Sequence, residues 1–121
     1  MAKILIVDDS SIIRLTLRAI LENAGHEIVG EAQDGLMGFD KYFELMPDIV
    51  ITDLTMPLLD GLTAIVKIRE KDSKAKIVLV TSNTNTEKIK DAISAGVTEV
   101  LFKPINEDQL IKSIDQIMQN E

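Results

Sequence analysis

Five short apolar runs recur along the chain, at Ile4–Val7, Ile28–Val29, Ile49–Ile51, Ile77–Val80 and Val100–Phe102. They are rich in β-branched residues, and three are continuously apolar, the pattern of strands buried on both faces. The stretches between them carry apolar residues at helical spacing. Ile13, Leu17, Ile20 and Leu21 share one face, and Gly25 then supplies a stop. Phe39, Phe43 and Met46 repeat the spacing before Pro47 closes the segment. Leu62, Ile65, Val66 and Ile68 follow a cap at Asp60. A shorter, more polar helix holds Ile89, Ala92 and Ile93 and ends near Gly96. The last carries Leu110, Ile114, Ile117 and Met118 behind Asn106, with Gln109 placed for a capping-box contact.

Strict alternation of strand and helix at this repeat length requires right-handed crossovers and a parallel sheet covered on both faces. The predicted fold is α/β: an open, doubly wound, five-stranded parallel sheet of order 2-1-3-4-5 with five helices. A closed eight-fold barrel would need about twice the length. No linker or low-complexity segment interrupts the alternation, so residues 1–121 are read as one domain.

Composition narrows the function by exclusion. With 45% hydrophobic and 27% charged residues the chain is globular, and with only 3% aromatics its core must be aliphatic. A formal net charge of −7 argues against a general nucleic-acid binder, which needs clustered Lys and Arg, and against docking on anionic lipid. Solubility is the plain reading of that charge. The absence of cysteine removes disulfide and thiol chemistry and fits a reducing compartment. No apolar run approaches the ~20 residues of a membrane span. The expected location is the cytoplasm.

Ligands of doubly wound sheets bind beyond the carboxyl ends of the strands, where strand order reverses. There the chemistry concentrates. The first run ends in Asp8-Asp9, the third in Asp53, the fourth in Thr81-Ser82 and the fifth in Lys103-Pro104. In the predicted order the first and third strands are neighbours, so their carboxylates converge. Two unit charges 4 Å apart interact by roughly 4 kcal/mol at an effective dielectric of 20. Three acids therefore require a held proton or a hard divalent cation, and magnesium suits few carboxylates completed by water and a phosphate oxygen. Lys103 and Thr81 add a cation and a hydroxyl donor for a second, anionic ligand. An oxyanion bridged by metal and ammonium is the arrangement of phosphoryl transfer, and a carboxylate is an accepted phosphoryl nucleophile. The residue types point to metal-assisted phosphorylation of an aspartate.

These segments resemble the signature of receiver domains of the CheY-like response-regulator family over the full chain. The resemblance rests on Ile4 to Ser10, on Pro47 to Asp53 with Met56-Pro57 and Asp60-Gly61, on Thr81-Ser82 and on Lys103-Pro104, all in matching order and spacing. It implies that Asp53 is the phosphoacceptor. Asp9 would bind magnesium directly and Asp8 mainly through water, with the backbone carbonyl of Thr55 as a further ligand. Thr81 would donate to one phosphoryl oxygen and Lys103 would pair with another, placed by a cis peptide before Pro104. Thr55 and Asn83 stand where family members vary and tune phosphoryl lifetime. Two positions depart from the pattern. Val100 replaces a frequent aromatic switch residue and is too short and stiff to swing. Ser82 replaces a common alanine or glycine.

The resemblance further implies a stand-alone, monomeric signalling module, not an enzyme beyond self-phosphorylation and autodephosphorylation. A histidine kinase or phosphotransfer protein would supply the phosphoryl group. A protein target would read the face of the fourth helix, fifth strand and fifth helix. Chemotaxis is one pathway for it; a relay or an unrelated target fits equally. Neither nucleic acid nor membrane is an expected partner. Two other classes compete. An aspartyl phosphohydrolase would want Asp-x-Asp after the first strand and a cap insertion, and a pseudo-receiver scaffold would lack part of the acid, threonine and lysine set. The phosphate loop of nucleotide hydrolases, ending Gly-Lys-Ser or Gly-Lys-Thr, is missing. Plain alternatives for single residues are strand-end turns for the aspartates, a buried hydroxyl for Thr81 and a solvated cation for Lys103. Asp60-Gly61 reads as cap and turn, Met37, Met46 and Met118 as core or edge filling, and His26, the sole histidine, as an exposed bystander.

Overall fold

The apolar runs form strands and the amphipathic stretches helices, in the order β1 (Lys3–Val7), α1 (Ser11–Asn23), β2 (Glu27–Ala32), α2 (Gly35–Leu45), β3 (Ile49–Thr52), α3 (Gly61–Lys71), β4 (Ile77–Thr81), α4 (Thr86–Ser94), β5 (Glu99–Phe102) and α5 (Glu107–Gln119). The computed structural model describes residues 1–120. All strand pairings are parallel and the sheet order is β2-β1-β3-β4-β5, as predicted. The inner strands β3 and β4 are buried along their whole length, and β1 from its second residue onward.

Alternation along each inner strand feeds two cores. Ile4, Ile6, Ile51 and Val80 face α1 and α5, packing with Leu17, Leu21, Leu110 and Ile114. Leu5, Val50, Ile77 and Leu79 face the other side, with Tyr42 of α2, Ile65 and Ile68 of α3 and Ala92 of α4. Each fully buried Leu or Ile contributes ~1.5–3 kcal/mol relative to exposure. Phe39, Tyr42 and Phe43 add edge-to-face ring contacts.

Helix starts are fixed by side-chain caps that accept otherwise orphaned amide protons. Ser10 accepts from Ile13, Asp34 from Met37, Asp60 from Thr63, Asn85 from Glu87 and Lys88, and Asn106 from Gln109. Asp60 is thus a cap, as its sequence context indicates.

Several local expectations are corrected. β2 extends past Val29 through Ala32, because a bulge between Ile28 and Gly30 keeps this edge strand paired. Met46 ends α2 as its C-cap in the left-handed region (φ 46°) and is mostly exposed, so of core or edge filling the core half does not hold. Ile93 likewise points outward from α4, where only Ala92 is buried. His26 is not a bystander. It is buried, its Nδ1 accepts the Ala2 amide proton at 3.0 Å, and its Nε2 stands 3.3 Å from Asp115 of α5. The chain reversal before β2 tucks it beneath the start of β1.

Candidate functional site

β1 and β3 are adjacent and in register, Val7 facing Thr52, so the residues that follow them emerge side by side at the switch point. Asp8 and Asp53 are both buried there. Lys103, following β5, reaches across β4 and donates to both: Nζ lies 3.0 Å from Asp8 Oδ2 and 2.8 Å from Asp53 Oδ2. The other oxygen of each acid accepts a backbone proton, from Ser10 at 2.9 Å for Asp8 and from Leu54 at 2.6 Å for Asp53. The Lys103–Pro104 peptide is cis, and the Lys103 amide donates to the Thr81 carbonyl at 2.9 Å.

Burial disfavours the Lys103 ammonium, but the hydrogen bonds and charges of Asp53 and Asp8 outweigh it and hold its pKa above the ordinary lysine value. Lys103 is therefore a fixed cation at neutral pH, one positive charge between two carboxylates. The pocket keeps a surplus of negative charge and of carboxylate lone pairs.

Thr81 is fully buried at the end of β4. Its Oγ1 accepts the Asn83 amide proton at 3.0 Å, which leaves its own proton free to donate. Asn83 Nδ2 in turn donates to Thr55 Oγ1 at 3.3 Å, so the two expected tuning positions are bonded to each other across the mouth of the pocket. Ser82 is exposed beside them. Val100 is partly buried against the α4-side core, while the aromatic side chain of β5 is Phe102, half exposed. In the sequence Phe102 shows only as the end of an apolar run directly before the lysine.

Asp9 differs from Asp8 in exposure. Successive residues at a strand end point to opposite sides, so Asp8 takes the buried place and Asp9 lies exposed at the rim. Among the described residues no three acidic or histidine side chains enclose a metal-sized space. The donor chemistry still fits magnesium, which keeps several waters and takes one or two carboxylates in place of an all-protein cage. Asp8 and Asp53 supply hard carboxylate oxygens, both buried at their strand ends.

Two further ionic features were not legible in the motif. Arg14 of α1 donates from Nη1 to the Asp8 carbonyl oxygen at 2.6 Å and from Nε to Glu31 Oε1 at 3.1 Å. Arg18 pairs with the second oxygen of Glu31 at 2.7 Å. Burial raises the Glu31 carboxyl, but Arg18 and Arg14 outweigh it and hold the group below the usual carboxylate range. A cation one turn into α1, on the side facing β2, was the available signal.

Comparison with known proteins agrees with this geometry. The family model described as "Response regulator receiver domain" matches residues 4–115. The chain is 36% identical over 116 residues to the chemotaxis protein CheY of Bacillus subtilis, covering 96% of this chain and 97% of that protein. It is 39% identical over 119 residues to CheY of Halobacterium salinarum, covering 98% of each. Among solved structures, a CheX–CheY–BeF3–Mg2+ complex from Borrelia burgdorferi superposes with a TM-score of 0.91 at 29% identity, covering 96% of this chain and 88% of that one.

Proposed function

The chain belongs to the response regulator receiver family, and from that premise we propose that it is a phosphorylation switch whose acceptor is Asp53. The observation that carries the reading is the bridge of Lys103 Nζ to the buried carboxylates of Asp8 and Asp53, with the buried Thr81 beside it. In the transfer, an Asp53 carboxylate oxygen forms a bond to phosphorus as the bond to the donor breaks, and the departing group, the imidazole of a phosphohistidine, takes up a proton. Asp8, Asp9, Asp53 and the Thr55 carbonyl would hold magnesium, which would neutralise charge on the phosphoryl oxygens. Asp53 is positioned for attack by the Leu54 amide and Lys103. After transfer, Lys103 pairs with one phosphoryl oxygen and the Thr81 hydroxyl donates to another.

Shifting a two-state equilibrium from 1:99 to 99:1 needs about 5.5 kcal/mol. Two charge-assisted hydrogen bonds at roughly 1.5–3 kcal/mol each supply a large part of it. The movement of Thr81 is then read by the β4–α4 loop and the face of α4, β5 and α5, because Val100 gives no aromatic reporter. A histidine kinase or phosphotransfer protein is the donor in this reading, and the output is phosphorylation-dependent protein binding by a cytoplasmic monomer. The relatives named as chemotaxis proteins support chemotaxis as one pathway for it.

Incubation with acetyl phosphate and magnesium followed by intact mass tests the reading. The expected result is a gain of one phosphoryl mass, lost in Asp53→Asn and on chelation of magnesium. No adduct with acetyl phosphate or phosphoramidate would sink it.

A further inference from the structure

We propose that Arg14 is a positioning residue for the magnesium-binding acids, acting through the backbone between Asp8 and Asp9; the inference rests on the function proposed above. The Asp8 peptide is gripped from two sides. Its N–H donates to the Ala32 carbonyl at 3.0 Å, and its C=O accepts from Arg14 Nη1 at 2.6 Å. The carbonyl matters most. A peptide unit is planar, so fixing the direction of the Asp8 oxygen fixes the Asp9 nitrogen and Cα in the same plane. Asp9 is exposed, and no described hydrogen bond holds its carboxylate, so the backbone alone positions it. Arg14 sets that backbone.

Arg14 is itself held. Its side chain is 18% exposed, and Nε donates to Glu31 Oε1, which locks the plane of the guanidinium. Glu31 is fixed in turn by Arg18 on its other oxygen and by Lys41 Nζ, 2.7 Å from its main-chain carbonyl. The bulge in β2 sets the register that brings Glu31 opposite Ile6. A chain of contacts thus runs from the edge strand through one guanidinium to the acid loop. A planar fork suits this task, since it binds two acceptors in fixed relative orientation, which a lysine does not.

Electrostatics and positioning predict opposite signs, which makes the idea testable. Removing a cation beside an acidic pocket should by charge alone tighten magnesium binding. Loss of a residue that orients metal ligands typically weakens metal affinity 10–100-fold. The experiment is calorimetric titration of magnesium into wild type, Arg14→Ala, Arg14→Lys and Arg18→Ala, with urea unfolding of each and phosphorylation by phosphoramidate across magnesium concentrations. Arg18→Ala removes the same charge from the same Glu31 without touching Asp8. The expected result is a dissociation constant for magnesium raised on the order of tenfold in Arg14→Ala, partly recovered in Arg14→Lys and unchanged in Arg18→Ala, with a matching shift in the magnesium dependence of phosphorylation. Unchanged or tighter binding in Arg14→Ala, or equal losses in both alanine variants, overturns the proposal. Failure of wild type to bind magnesium or take phosphate overturns instead the reading of the site on which it rests.

Discussion

Gly61 opens α3 against the main chain of Asp53, and a Cβ placed there would fall onto the Asp53 carbonyl and the Leu54 Cα, both backbone. Its N–H donates to the Leu54 carbonyl at 2.7 Å, so the close approach is part of how the loop after β3 closes over the site. Backbone cannot yield as a flexible side-chain tip does. Gly61→Ala should therefore destabilise the fold by more than the ~1 kcal/mol typical of point substitutions and slow phosphorylation at saturating magnesium. Urea unfolding with an initial-rate measurement checks both, and wild-type values would refute the account of this loop. At this scale the sequence was informative wherever a residue's type nearly dictates its place. Asp60 read correctly as a cap, and Lys103-Pro104 as a strand-end cation, while Gly61, read as turn, is the first residue of α3. His26 did not, because a histidine beside a glycine carries no sign of burial. Its place under Ala2 and against Asp115 depends on two elements remote in sequence.

Among the elements, the edge contact between α1 and β2 is the least legible and the most charged. β2 is only partly buried, so its apolar signal was short, and Gly30 at its bulge broke that signal off after Val29. The central strands, buried throughout, could be read directly. Arg14, Arg18 and Glu31 join α1 to this edge, and the Glu31 carboxyl is held below its ordinary value by the two guanidiniums. A carboxyl whose pKa is lower folded than unfolded stabilises fully above its unfolded value, about 4.3, and loses that contribution as pH falls below it. The stability difference between wild type and Glu31→Gln should thus be largest near neutrality and shrink as pH drops below about 4. Urea midpoints measured from pH 7 to pH 3 check this; a difference constant with pH would contradict the ion-pair account. α4 presents the opposite case. It buries only Ala92 and is tied at its C-terminal end, where Arg69 Nη2 donates to the Gly96 carbonyl at 2.6 Å. Its polar character was visible in its sequence and suits the element beside Thr81 that the proposed switch would move.

For the whole molecule, the doubly wound order decides the chemistry. Four strand ends distant in sequence reach one rim only because β1 and β3 are neighbours and β5 lies beyond β4. The pairing of Asp8, Asp53 and Lys103 could be expected from that topology, since spacing says which strand ends meet, whereas the bond from Arg14 to the Asp8 carbonyl could not, because it depends on a side chain one turn into α1. The central claim is that this rim makes Asp53 the phosphoryl acceptor. The direct measurement is chemical trapping: wild type treated with acetyl phosphate and magnesium, reduced with borohydride, digested, and sequenced by mass. The account predicts conversion of Asp53 to homoserine in the peptide that contains it, dependent on magnesium. Conversion at Asp8, Asp9 or any other acid with Asp53 unmodified would contradict it.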